Sequence, residues 1–197
     1  IAFFPVLNNR LDLNIVNNKW QEYSLTLDEV RSKVKLLNQE IEKTLEIGTA
    51  YKHFRNPHAQ AYLDYQIVKE IEHIEAVPKS QKKHPYASGV FVTDYQKILT
   101  ELDICRLVDT QSVREIWIWA YTGIDRTGFE SNFSSKLGDI SNSDRDNRDL
   151  PDCNSSYTVY EYNYGRGVPE AVEDHMHQFE AIYRFLNEDL FWNTYVG

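Results

Sequence analysis

The chain has 197 residues, 42% hydrophobic and 26% charged, with only 8 Gly and 6 Pro. That composition excludes disordered and collagen-like chains, and the length suits one domain able to bury its own core. A net charge of −9, from 30 acidic against 21 basic residues, argues against a nucleic-acid surface, and no run of about 18 uncharged apolar residues is present to span a membrane.

The first apolar run, Ala2 to Leu7, is bounded by Asn8-Asn9 and predicts a buried strand. Residues 24–47 predict a helix: Thr26-x-x-Glu29 is a capping box, Val30, Val34, Leu37, Ile41 and Leu45 recur at helical steps, and Gly48 is the expected stop. Residues 62–77 alternate enough to suggest a strand. The basic cluster Lys79, Lys82, Lys83 and His84, between Pro78 and Pro85, reads as a solvated loop. Residues 93–108 form the next expected helix, capped by Thr93 or Asp94, with Ile98, Leu99, Leu102 and Cys105 inward. Residues 113–121, holding Ile116-Trp117-Ile118-Trp119-Ala120, suit a strand buried on both faces.

Residues 122–155 are dense in Ser, Asp, Asn and Gly and read as one long polar loop. Residues 156–164 alternate as a strand, and Gly167-Val168-Pro169 opens a last helix to about residue 190. No repeat or linker divides the chain. The expected fold is therefore a single α/β or α+β domain over 1–197, with a mixed sheet of four to five strands, three main helices and the 122–155 loop. Cys105 lies in an apolar run, where a buried free thiol is the default, and Cys153 lies in the polar loop. A bridge between them requires an oxidising compartment and proximity that spacing alone does not give. Two glycosylation sequons, at Asn132 and Asn154, fall in the same loop and lean toward secretion.

The chemistry-bearing residues concentrate in the last helix. At about 100° per residue, Glu170, Glu173, His177, Glu180 and Arg184 share an arc of about 80°. Val172, His175, Phe179, Ile182 and Leu186 lie opposite and are the expected core stripe. Glu173 and His177 at i and i+4, with Glu180 one turn on, are candidate ligands for a divalent metal such as zinc. Asp174, beside one ligand, is then placed as a general base. The competing reading is a wet face held by helical ion pairs. His175, on the apolar side, reads as a hydrogen-bonded core residue.

Gly165-Arg166-Gly167 leads into this helix and suits either an anion-binding start or a tight turn with Arg166 paired to a nearby acid. Glu130 stands soon after the Trp-rich strand, a position common to catalytic and to surface carboxylates. In the 142–149 loop, Asn142-x-Asp144-x-Asp146-Asn147 resembles half a calcium loop, but Cys153 stands where the bidentate Glu is expected. Aromatic residues make up 13% of the chain, including Tyr157, Tyr160, Tyr162 and Tyr164, so a glycan-binding surface stays open. No Gly-x-Ser-x-Gly, phosphate loop or dinucleotide fingerprint occurs.

Ile116-Trp117-Ile118-Trp119, Glu130-Ser131-Asn132, Gly138-Asp139-Ile140-Ser141-Asn142-Ser143, Tyr162-Asn163-Tyr164-Gly165-Arg166 and His177-Gln178-Phe179-Glu180 together resemble a family of uncharacterised secreted bacterial proteins. The likeness covers most of the chain after Tyr51 and is strongest from 113 to 180. It implies export, a His or Glu at the Glu173 position followed by His177 and Glu180, and a chain that continues past Gly197. The absence of a starting Met before Ile1, with Met176 the only methionine, fits a processed export product. The resulting expectation is an extracellular metal-dependent hydrolase-like domain whose substrate is left open, with a peptide or glycan as candidate partner. Glu173, His177 and Glu180 hold the metal, Glu130 or Asp174 is the base, and Arg166 with Tyr164 positions an anionic or carbonyl group. The alternative is a non-catalytic matrix or glycan-binding protein.

Overall fold

The capping box forms as written. Thr26 Oγ1 accepts from the Glu29 N–H at 3.3 Å, and the Glu29 carboxylate accepts from the Thr26 N–H at 2.7 Å, which satisfies two donors at a helix start. The computed structural model describes residues 1–17, 25–50, 58, 60–142 and 148–196. In chain order the elements are β1 (Ala2–Phe3), β2 (Val6–Leu7), β3 (Arg10–Leu11), α1 (Leu27–Thr49), β4 (Glu72–His73), β5 (Lys79–Lys83), β6 (Phe91–Thr93), α2 (Tyr95–Glu101), α3 (Ile104–Gln111), β7 (Glu115–Ala120), β8 (Arg126–Thr127), β9 (Ser131–Ser134), β10 (Tyr157–Asn163), α4 (Val168–Phe191) and a terminal π-helical turn (Trp192–Val196). No helix among the described residues is long and apolar enough to cross a membrane.

The fold is mixed α/β. Its main sheet has the order β4-β1-β7-β10-β9, parallel except for β9, which pairs antiparallel with β10 at one edge. Because strand side chains alternate, Trp117, Trp119, Tyr160 and Tyr162 share one face. α4 and α1 cover it: His175 stacks on Tyr160 at 3.9 Å, and the Trp119 indole donates to Asn38 Oδ1 at 2.6 Å. Glu161, on the opposite face, accepts from Thr93 and Tyr95, which bring the β6–α2 corner against that side.

Several expected elements take a different form. The first apolar run divides at Pro5, which cannot donate to a ladder, and Asn8-Asn9, at φ 51° and 61°, make a two-residue hairpin turn between β2 and β3. The expected 62–77 strand reduces to β4, an edge strand paired only with the two-residue β1. The basic cluster is not a loop, since Lys79–Lys83 pairs antiparallel with β6. The expected 93–108 helix breaks into α2 and α3 at Asp103, whose φ is 51°, so among the described residues four α-helices stand where three were expected. α1 passes Gly48 and ends at Thr49. The 122–155 segment is not one loop: β8 and β9 form within it, and β9 supplies the sheet edge.

Cys105 is not a free thiol. It bonds Cys153, tying α3 to the segment that enters β10. Of the two sequons, Asn132 lies fully buried in β9, whereas Asn154 is exposed beside the disulfide. The core stripe of α4 is rotated from the expected one: Ala171, Asp174, His175 and Gln178 are buried, while Phe179 and Leu186 are exposed. Gln178 turns inward because its amide donates to Ile140 O, on the segment that pairs with β9.

Candidate functional site

The parallel strands β7 and β10 end at Ala120 and Asn163, and the chain passes from β10 through Tyr164 to Gly167 directly into α4. Ligand sites in such sheets form where strand ends meet helix starts. Glu130, just before β9, is held at this end by the Glu161 N–H, which donates to its carbonyl at 3.1 Å. The following segment folds back on β9: Phe133 and Ile140 exchange both backbone hydrogen bonds, at 2.9 and 2.8 Å. α4 fastens it through Gln178, whose amide donates to Ile140 O at 2.9 Å. Ser141 Oγ donates to Ser131 O at 3.0 Å, and the Asn142 amide donates to the Glu130 carboxylate. Between α4 and this folded-back segment lies a polar cleft of about 700 Å³, lined by Glu130, Asp139, Asn142, His177, Glu180 and Arg184 among others.

Within the cleft His177 Nδ1 lies 3.0 Å from Glu130 Oε2, and its Nε2 lies 4.0 Å from Glu173. The hydrogen bond to Glu130 raises the His177 pKa; partial burial opposes it, and the charges of Glu130, Glu173 and Glu180 add to it. Asp174 is 3% exposed. Burial, first, and then the charges of Glu130 and Glu170 push its carboxyl up to about 8, against the opposing charge of Arg166. Glu170 is pushed up to about 7 by burial; its ion pair with Arg166 opposes that shift, and the Glu130 and Glu173 charges reinforce it. The site thus holds two carboxyl groups whose pKa values are pushed up toward neutrality, near a carboxylate–imidazole pair.

Glu130, Arg166, Glu173, Asp174, His177 and Glu180 are therefore brought together, and Glu170 joins them. Tyr164 is not brought in. Its ring is fully buried against Phe4 and Tyr121, at 5.9 and 6.2 Å, and its hydroxyl has no hydrogen-bond partner. The reason is that Tyr164 closes the β10 ladder, its N–H donating to Ala120 O, so its side chain joins the core. Arg166 takes the turn arrangement, paired with Glu170 at i+4. Among the described residues no group of three His, Cys, Asp or Glu side chains gathers closely enough to hold a metal ion; Glu173 and His177 make the nearest approach within the expected ligand set. The calcium-like motif lies largely outside the described residues, at 143–147. Of its flanks, Asn142 bonds Glu130 and Asp149 accepts from the Asn132 amide at 3.4 Å.

His175 is the core histidine its position implied: Nδ1 lies 2.8 Å from Ala171 O and Nε2 lies 3.2 Å from Glu115. Tyr157, Tyr160, Tyr162 and Tyr164 are all buried, so the tyrosine strand is core and offers no sugar platform. Asn142, expected only as part of the calcium-like motif, and Glu170, expected only as part of the acidic stripe, are the residues whose place beside Glu130 and Asp174 sequence reasoning missed. The signal for Asn142 is the pair Glu130-Ser131-Asn132 and Asp139-Ile140-Ser141-Asn142, two polar runs separated by a turn, which the fold lays side by side. No protein-family profile, curated protein or solved structure matches the chain.

Proposed function

We propose that the cleft beside α4 is the reaction centre of an exported hydrolase that cleaves a peptide or glycan bond by general acid–base chemistry. One observation carries this: Asp174 and Glu170, two carboxyls with raised pKa values, stand within electrostatic reach of Glu130, whose carboxylate pairs with His177 in the cleft, and acid and base roles separate where environments push titrating groups apart. Asp174 donates a proton to the leaving group, and the Glu130–His177 pair takes one from the attacking water. Arg166 offsets developing negative charge. The Cys105–Cys153 bond supports an oxidising, extracellular setting.

A divalent metal is the second reading, favoured by one geometric fact. Glu130 engages His177 Nδ1, as an orienting carboxylate does for a ligating imidazole, and the other nitrogen stays near Glu173. Glu173, His177 and Glu180 would hold such an ion, which would supply an activated water. Metal analysis of the purified protein and of His177→Ala, together with turnover of a peptide and oligosaccharide panel, separates the readings. Turnover that survives chelator and falls in Asp174→Asn is expected. A stoichiometric metal lost in His177→Ala moves the assignment to the metal, and turnover indifferent to both substitutions overturns the site.

A further inference from the structure

On the far side of α4 from this cleft, the sheet has a notch. β1 pairs with β7 at Trp119, and the Ile1 amino group just before it donates to Trp117 O at 2.9 Å, so among the described residues Glu115 and Ile116 pair with β10 on one side and face no strand on the other. Residues 63–71 run past this gap outside any regular element. They enclose with β7, the end of α3 and the middle of α1 a cavity of about 520 Å³, within the range of small-molecule sites. Its walls are mainly apolar, with Leu63, Ile71, Leu107 and Val113 beside the rings of Trp117 and Tyr65, whose centroids lie 5.9 Å apart.

The polar groups around this cavity are largely of one sign. Glu42, Asp64, Glu70 and Glu115 line it, and Glu46 stands close by, its carboxylate accepting from the Tyr65 N–H at 2.8 Å. Of the three basic groups in the wall, Arg114 turns its guanidinium to the carbonyls of Val108 and Val113, at 3.1 and 3.0 Å, Lys69 is solvent-exposed, and the Ile1 amino group donates to Trp117 O at 2.9 Å, with burial lowering its pKa to about 6 against the raising charge of Glu70. Glu115 is fixed by Tyr65 OH at 3.0 Å, Trp117 Nε1 at 2.9 Å and His175 at 3.2 Å, yet its side chain keeps 26% exposure. A carboxylate has about four acceptor positions, so one is left for a ligand. Aromatic rings beside carboxylates are the chemistry that receives an organic cation.

We propose that this notch is a binding site for a small apolar amine, its ammonium held by Glu115 and the neighbouring carboxylates and its hydrocarbon body lying against Trp117 and Tyr65. The site is separate from the acidic cleft, and neither depends on the other. The test is calorimetric titration with 4-phenylbutylamine, 4-phenylbutanol and 4-phenylbutanoate, which share a body and differ in charge. The amine is expected to bind at least about tenfold more tightly than the alcohol, a difference of about 1.4 kcal/mol, with the carboxylate weakest. Glu42→Gln together with Glu70→Gln should shrink the amine preference several-fold, Val113→Trp should abolish binding of all three, and His177→Ala should leave binding intact. Equal affinity for amine and alcohol, binding that survives Val113→Trp, or no binding of the amine at millimolar concentration would each overturn the proposal.

Discussion

Replacing Glu161 by Gln is expected to destabilise the fold by about 3–5 kcal/mol, the usual cost of breaking a buried ion pair from one side. Arg126 is 2% exposed, and its guanidinium is held by Glu161, by Thr93 Oγ1 at 2.5 Å and by the Tyr121 carbonyl. Burial disfavours its charge, but the Glu161 carboxylate outweighs that and holds the guanidinium above its ordinary pKa. Tyr95 OH ties the network to the site, donating to Glu161 at 2.8 Å and accepting from the Phe129 N–H at 2.8 Å, one residue before Glu130. Glu161→Gln leaves a buried cation without its counter-charge, and thermal melts should fall by roughly 6–20 °C at this chain length. Gly128→Ala should disturb the same point, because a methyl group there would stand 2.1 Å from the Glu161 carboxyl carbon. The double variant Arg126→Met, Glu161→Leu removes both charges and should recover part of the loss. A Glu161→Gln melt within about 1 kcal/mol of wild type would show that the pair is not what holds β6, β8 and β10 together.

That network is invisible in the sequence, and the reason is physical. Arg126 and Glu161 sit in segments that read as polar loop and alternating strand, and nothing local marks them as buried partners 35 residues apart. Elements written by short-range chemistry were legible: the Thr26–Glu29 box, the helical apolar stripe of α1 and the apolar run of β7 all formed where their patterns placed them. Elements that depend on a partner were not. Ser131-Asn132-Phe133-Ser134 has little strand propensity and becomes β9 only because β10 offers a free edge. The same dependence governed the site. The α4 stripe of Glu173, His177 and Glu180 could be read from 3.6-residue spacing, as could Glu170. What Glu130 does to that stripe could not, since its approach to His177 spans 47 residues. The burial of Asp174 went unread for a related reason: residues 131–134 read as part of a polar loop, and nothing local shows that they form a sheet edge that α4 packs against.

Asp174→Asn is expected to cut turnover by about 10²–10⁴-fold, the usual contribution of a positioned proton donor, while making the protein more stable. Burial and the charges of Glu130 and Glu170 raise the carboxyl from an ordinary 3.8 to about 8, so the folded state favours its protonated form. Such a group contributes stability that is fully present below its unfolded pKa and is lost as pH rises through the folded value. At about 1.4 kcal/mol per pH unit, the penalty for burying it grows to about 4 kcal/mol at pH 7 and levels off at a ceiling of about 6 kcal/mol above pH 8. Asn removes the titration. The variant should therefore melt close to wild type at pH 4 and higher by several degrees at pH 8, with the gap widening between those limits. Wild-type turnover should decline above about pH 8 as Asp174 ionises. On the acid side it should fall as the Glu130–His177 pair takes up a proton, at a pH above the ordinary histidine value because Glu130 favours the imidazolium. A loss of turnover with a gain in stability marks a group kept for chemistry at the expense of the fold. If Asp174→Asn instead melts lower at every pH, the carboxyl is a structural hydrogen-bonding group and the proton-donor assignment fails.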